Sequence, residues 1–364
     1  MQRAWASIDL VALQRNLSIA KQAAPQSKLL AVIKADGYGH GLCQVAEALQ
    51  AADGFGVACL QEAIKLREAG IQKTILLLEG VFSPEELKWV ERYKLSMVVH
   101  QVQQLEWLEQ LADSRDCLIS TWLKLDTGMH RLGFSAAQFV EAEARLKSCA
   151  AVDGDITVMS HFANADLPTH PANQQQLSLL NALSKTSPKS MANSAALLAL
   201  PQSHFDWVRP GIMLFGCSPF AEWPAEGCEL HPVMTLKARL FEIKSLKKGD
   251  AIGYGGGWVS PEDMKVGVVS IGYGDGYPRH AANGTPVWIN GYECSLAGRV
   301  SMDMICVDLR NYPDAQCGDE AVLWGAGLAI ERVAAAAGTI GYELLCGITP
   351  RVKLEYLRVS DGQG

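Results

Sequence analysis

The chain has 364 residues, 49% of them hydrophobic and 20% charged, with a formal net charge of −7. That length allows two domains or one large barrel, and an acidic balance with no basic run or stripe argues against a nucleic-acid partner. No apolar run reaches membrane-spanning length, and the opening MQRAWASIDL lacks the apolar core of a signal peptide, so a cytoplasmic protein without a membrane association is expected. Ten cysteines are scattered with no C-x-x-C pair. In a reducing compartment that pattern belongs to small buried hydrophobes, and a structural metal site is not expected.

In chain order, Asp9 is placed to cap a helix running to Ala24, with Leu10, Leu13, Leu17 and Ala20 on one face. Leu29 to Ile33 is a continuous apolar run of strand length that ends abruptly in Lys34 and a loop with Gly37, Gly39 and Gly41, followed by a helical segment from His40 to Ala52. From there strand-like and helix-like segments alternate. Further strand candidates end at Cys59, Glu79, His100, Lys124, His161, Asn193 and Arg209, and helical patterns cover 61–69, 83–93, 102–112, 135–147, 173–184 and 194–200. Ser83-Pro84-Glu85-Glu86 reads as a capping box with proline at its first position. Eight strands alternating with helices predict a (β/α)8 barrel over residues 1–230, with an open doubly wound sheet as the competitor, because alternation alone does not close a barrel. Residues 231–364 change texture. Alternating runs at 231–244, 266–271, 286–289, 302–308 and 352–357, with Gly249-Asp250, Asn283-Gly284 and Asn290-Gly291 as turns, predict a second, mostly β domain with one clear helix at 330–338.

The predicted strand ends are polar. They carry Lys34; Lys124, Asp126 and Arg131; His161; Asn193 and Ser194; and Arg209. Each alone is an ordinary hydrogen-bonding residue, but a barrel brings all five ends to one mouth, where catalytic groups sit. A lysine leaving a buried strand has its amine beside apolar surface, which favours the neutral, nucleophilic form able to make a Schiff base. Ser194 opens a helix, and Gly211 and Ile212 follow the eighth strand, where barrels often bind phosphate. A reactive lysine with a phosphate site suggests pyridoxal 5′-phosphate, although other barrels that bind phosphates also use lysines. In the β domain, Tyr254, Tyr273, Met302 and Asp303 stand in Gly-rich turns.

AVIKADGYGHG, LKLDTGMHRLG, SHFANAD, ANSAA, RPGIMLFG, GYGGGW, SIGYGDGYPR, GRVSMDM and IGYELLC resemble, in order and over nearly the whole chain, the motifs of the bacterial alanine racemases. The resemblance implies interconversion of L- and D-alanine for peptidoglycan metabolism, pyridoxal 5′-phosphate, and a head-to-tail homodimer whose active sites each draw on both subunits. It implies that Lys34 holds the cofactor and acts as one acid/base group, with Tyr254 of the other subunit as the second. Tyr38, Ser194, Gly211, Ile212 and Tyr342 match the phosphate ligands, and Arg209 the arginine at the pyridine nitrogen, hydrogen-bonded to His161. Arg131 matches the arginine near the substrate carboxylate, and Lys124 a lysine found carbamylated in the family. Tyr273, Met302 and Asp303 match residues that reach the other subunit's entrance.

The chain departs from the commoner pattern at KADGYGHG, where KANAYGHG is frequent, at His130, where glycine is usual, and at Ser190, where some members carry histidine. Competing readings are a non-catalytic pyridoxal-phosphate carrier, which lacks a β domain, a basic-amino-acid decarboxylase, whose phosphate site and cysteine-bearing loop differ, and a racemase of broad or serine specificity.

Overall fold

A computed structural model describes residues 2–114, 118–154, 156–220 and 229–357. Residue 1 and residues 358–364, which the sequence reading assigns to the two domains, lie outside the described residues. The first strand, β1 (Ala4–Asp9), is alanine-rich and has no strong strand signal, yet Ala6 and Ile8 are fully buried. Asp9 then caps the helix Leu10–Ala23 as the sequence predicts, its Oδ1 accepting the backbone N–H groups of Val11 and Ala12, each at 2.9 Å.

Eight parallel strands close the barrel: β2 (Lys28–Val32), β3 (Gly54–Val57), β4 (Thr74–Leu77), β5 (Ser96–Val99), β6 (Ser120–Lys124), β7 (Thr157–Met159), β8 (Lys189–Ser190) and β9 (Trp207–Val208). Closure is made by β9 pairing back onto β2, Trp207 opposite Lys28 and Val208 opposite Leu29, which excludes the open sheet. Leu30, Leu76, Val98, Trp122 and Met159 fill the interior as a separate apolar cluster. Each such side chain contributes about 1.5–3 kcal/mol relative to exposure. The outward faces of the strands join the surrounding helices in one large core.

One helix start differs from expectation. Ser83 makes no side-chain cap. The chain enters through a 3₁₀ turn, Pro84–Glu86, before the helix Leu87–Arg92, and Glu86 Oε2 accepts the N–H of Phe82 at 2.8 Å. The tighter 3₁₀ turn changes where the first carbonyls and amides point, so the box is not formed.

The second domain contains β10 (Met234–Leu246), β11 (Ala251–Ile252), β12 (Trp258–Val259), β13 (Met264–Val269), β14 (Pro286–Ile289), β15 (Tyr292–Leu296), β16 (Ile305–Asp308), β17 (Glu320–Trp324) and β18 (Lys353–Leu357). β10 is long and bulged, and pairs antiparallel with β1, β13 and β17. With β16, β15 and β14 completing the path from β13 to β17, these strands form a ring, and β1 and β18 extend it beside β10. The N-terminal strand is therefore a member of the second sheet. Asn290 and Gly291 both have positive φ, the two-residue hairpin turn their types predict, here joining β14 to β15. Among the described residues no helix is long and apolar enough to cross a membrane.

Candidate active site

Lys34 follows the first barrel strand into a left-handed stretch. Ala35, Asp36, Gly37, Tyr38 and Gly39 have φ of 54°, 51°, 64°, 52° and 77°. For residues bearing a Cβ this conformation costs about 1–2 kcal/mol each, so contacts elsewhere must hold it. Gly37 N donates to Ile33 O at 2.8 Å, Gly41 N to Asp36 O at 2.9 Å, and Leu42 N to Asp36 Oδ1 at 3.0 Å. From the second domain, Tyr356 Oη donates to His40 O at 3.1 Å. A Cβ on Gly39 would overlap Leu345 O. Gly39→Ala is expected to lower the urea midpoint with little change in slope, by about 1–2 kcal/mol for the left-handed conformation alone, and more from the collision.

The turn aims Lys34 and Tyr38 into a cleft of about 600 Å³ at the C-terminal mouth of the barrel. The same cleft is lined by Lys124, Arg131, His161, Ser194, Arg209, Gly211 and Ile212 from the barrel, and by Tyr342 from the second-domain helix Gly341–Cys346. With Asn193, which also lines it, eleven of the residues singled out in the sequence thus share one cavity.

Its electrostatics are cationic. Burial, followed by the charges of Arg209, Arg131 and Lys34, pulls the Lys124 amine down to about 8, with only Asp126 opposing. Burial pulls Arg209 down to about 10, which leaves it protonated at neutral pH. Its guanidinium is fixed by Nη1 donating to Ser190 Oγ at 2.6 Å and Nη2 to Ser160 O at 2.6 Å. Nη2 also lies 3.3 Å from His161 Nδ1. Burial and then Arg209 hold His161 well below its usual range, so the ring is neutral and Nδ1 is the acceptor.

The same cleft holds a set of hydroxyls. Ser194 Oγ accepts the N–H of Gly211 at 2.9 Å and of Met213 at 3.4 Å, which leaves its own proton to donate into the cleft. Gly211 admits no side chain, since a Cβ there would stand 2.6 Å from Tyr38 Oη. Burial raises the Tyr38 and Tyr342 phenols, keeping both protonated as donors. Cations and neutral donors lining one cleft make a receptor for an anion.

Tyr254, Tyr273, Met302 and Asp303 are not brought into this cleft. They lie on the β domain, with Tyr254 72% exposed. The Tyr273 and Met302 loops are nonetheless tied to each other: Tyr273 N donates to Ser301 O at 3.0 Å and Gly274 N to Met302 O at 2.8 Å. The fully buried Asp275 carboxylate receives Arg3 Nη1 at 2.7 Å and Nη2 at 2.9 Å. Arg351 Nη2 donates to Asp303 Oδ1 at 2.6 Å.

The family models for the alanine racemase N-terminal domain and C-terminal domain match residues 8–219 and 233–356. The chain belongs to the alanine racemase family. Alanine racemase of Vibrio parahaemolyticus is 50% identical over 362 residues, covering 98% of this chain and 100% of that one. The Nitrosospira multiformis alanine racemase is 50% identical over 351 residues, 96% and 98% of the two chains. Among solved structures, the biosynthetic alanine racemase of Pseudomonas aeruginosa superposes with a TM-score of 0.94 at 45% identity, over 98% of this chain and 100% of that one. The Bartonella henselae alanine racemase with covalently bound pyridoxal phosphate does so with a TM-score of 0.89 at 28% identity, over 98% and 100%. The protein is accordingly an amino-acid racemase.

In this racemase the departures from the commoner motif acquire a physical meaning. His130 has φ +55°, which explains why glycine is usual there. The histidine is held by its N–H to Asp126 Oδ1 at 3.1 Å and by Nδ1 to Asp126 Oδ2 at 3.0 Å, immediately before Arg131. Asp36 and Gly37 likewise stand in the left-handed turn, where Asp and Gly are among the residues best tolerated. The sequence reading missed Glu79 and Cys346 as cleft residues, and Arg299, which lies along the Tyr254 loop beside Gly255. Glu79 had a signal, since a predicted strand ends at it, and it lies two residues past β4. Cys346 and Arg299 had none without the tertiary fold.

Proposed function

We propose that the chain interconverts L- and D-alanine with pyridoxal 5′-phosphate held covalently on Lys34, in a homodimer whose partner contributes Tyr254. The observation that carries this reading is a lysine at a barrel mouth, ringed by Lys124, Arg131 and Arg209 and faced by the hydroxyls of Tyr38, Ser194 and Tyr342. This donor set fits the cofactor. The three hydroxyls and the chain at Gly211 and Ile212 suit a phosphate, the absent Gly211 side chain making room for the Tyr38 hydroxyl beside it. A protonated arginine, fixed on Ser190 and Ser160, suits an unprotonated ring nitrogen. The Bartonella henselae relative, with its covalently bound pyridoxal phosphate, supports the same assignment.

When bound, the cofactor supplies an electron sink that acidifies the substrate's α-C–H bond. The chain's own residues do the proton work. Lys34 Nζ takes or returns the α-proton on one face, and Oη of the partner subunit's Tyr254 does so on the other. Two groups are needed because a proton returned to the side it left restores the starting enantiomer. Arg131 binds the substrate carboxylate. Arg209 keeps its proton rather than passing it on, which weakens the sink and restrains side reactions such as transamination. Lys124, with its pKa pulled to about 8, has about a tenth of its amine neutral at pH 7, far more than an ordinary lysine. That neutral amine adds carbon dioxide and releases a proton, becoming a carbamate anion able to pair with Arg131. The partner subunit's Tyr273, Met302 and Asp303 narrow the entrance and contact the substrate. The D-alanine formed or consumed belongs to peptidoglycan metabolism in the cytoplasm.

The test is made in heavy water with L-alanine. Loss of optical rotation with deuterium appearing at the α-carbon is expected, and both are abolished by prior borohydride reduction. A cofactor-loaded protein that exchanges nothing with alanine, serine or basic amino acids would leave a carrier in place of an enzyme.

A further inference from the structure

We propose that Glu62 is a positioning residue for Lys34, its carboxylate fixing the start of the left-handed turn from which the lysine enters the cleft. The proposal rests on the reading of Lys34 as the group that holds the cofactor. Glu62 lies in the first turn of the helix Leu60–Glu68, on the neighbouring strand–helix unit of the barrel. Its Oε1 accepts the N–H of Ala35 at 2.7 Å and of Asp36 at 3.4 Å, while Oε2 accepts the N–H of Ala58 at 2.9 Å. One carboxylate therefore ties the residue after the lysine to the end of β3.

The peptide geometry makes this contact consequential. The Lys34 carbonyl and the Ala35 N–H share one rigid plane, so pinning that N–H fixes ψ of Lys34 and the direction in which its side chain leaves the strand. Of the other supports, the Gly37 N–H to Ile33 O bond at 2.8 Å closes the turn around Lys34 without holding the peptide that leaves it, and the rest act further along. Tyr356 reaches His40 O, and His40 Nδ1 sits 3.1 Å and 2.8 Å from Gly37 O and Tyr38 O. The Lys65–Asp36 pair at 3.3 Å is exposed and screened, and the backbone N–H that Asp36 Oδ1 accepts, that of Leu42, lies at the far end of the turn. At the lysine end the anchor is Glu62. A glutamine replaces it only in part, because its amide nitrogen would face at least one of the three backbone donors.

The experiment compares wild type, Glu62→Ala, Glu62→Gln and Lys65→Ala as full-length protein. It uses three readouts: amide hydrogen exchange at Ala35 and Asp36, borohydride trapping of pyridoxal 5′-phosphate on Lys34 after adding it to cofactor-stripped protein, and the kcat and KM for alanine. Glu62→Ala is expected to speed exchange at the two amides and slow trapping by about tenfold to a hundredfold, the scale set by a misplacement of about 1 Å. The loss in turnover should fall in kcat more than in KM. Glu62→Gln should change in the same direction by less, and Lys65→Ala should match wild type. Wild-type trapping and kcat in the Glu62 variants overturn the proposal. If Glu62→Ala does not fold, Glu62→Gln decides by the same criterion. Failure of the wild type itself to be trapped on Lys34 marks the different outcome in which the cofactor reading falls and this one with it.

Discussion

Lys34→Ala is expected to give a folded protein that borohydride no longer joins to pyridoxal 5′-phosphate, with racemisation reduced by at least about 10³-fold, the combined loss of a covalent anchor and of one acid/base group. The fold should persist because the lysine side chain lies in the cleft and belongs to none of the apolar clusters. Lys34 itself has no positive φ, so alanine introduces no backbone conflict where the left-handed stretch begins. A melting curve within a few degrees of wild type separates loss of chemistry from loss of structure. A second consequence is electrostatic. The Lys34 charge is one of three cations, after Arg209 and Arg131, that hold the Lys124 amine down to about 8. Its removal should move the Lys124 titration upward, toward its ordinary range, as read by NMR of labelled lysine or by the pH dependence of its acylation. Added methylamine should restore part of the activity if the missing element is an amine at that point. Trapping that persists on another lysine, Lys124 being the nearest alternative in chemistry, would move the covalent anchor and with it the assignment of the two proton carriers.

The barrel was legible because its signals are local. Apolar runs such as KLLAV are buried on both faces and punctuated by polar strand ends, so strand existence and strand termini could both be read, and only closure needed the structure. The cleft residues of the barrel were legible for the same reason, since a barrel converts strand ends that are distant in sequence into neighbours in space. What escaped was set by tertiary pairing. β1 reads as alanine-rich chain and becomes a strand by lying between β10 and β18. β15 and β17 are short and carry charge, and the Gly341–Cys346 helix that supplies Tyr342 is too short to show a period. The three glycines after Lys34 announced an unusual loop, but not that Ala35, Asp36 and Tyr38 would adopt the left-handed conformation with them. Glu62 gave no signal at all. A glutamate in the first turn of a helix is ordinary, and its importance lies in a hydrogen bond across 27 residues.

Tyr254→Phe is expected to leave cofactor trapping on Lys34 intact while lowering racemisation by about 10²–10⁴-fold, since only the phenolic oxygen is lost. The sharper experiment mixes this variant with Lys34→Ala under conditions that exchange subunits. In a single chain Tyr254 stands 72% exposed on the β domain and is absent from the lining of the cleft that holds Lys34. If each site takes Lys34 from one subunit and Tyr254 from the other, a hybrid dimer contains one site with both groups intact and one with neither. Random exchange of equal amounts makes about half the dimers hybrid, each half active, so recovery should approach about a quarter of wild-type specific activity. If Tyr254 served its own chain's lysine instead, every site in the hybrid would lack one group and mixing would recover nothing. Cross-linking or a mass tag on one variant establishes that hybrids have formed, so a null result is interpretable. The recovered activity should follow the hybrid fraction linearly as the mixing ratio is varied. That proportionality distinguishes a shared site from slow refolding of a damaged variant, because refolding would depend on one component alone.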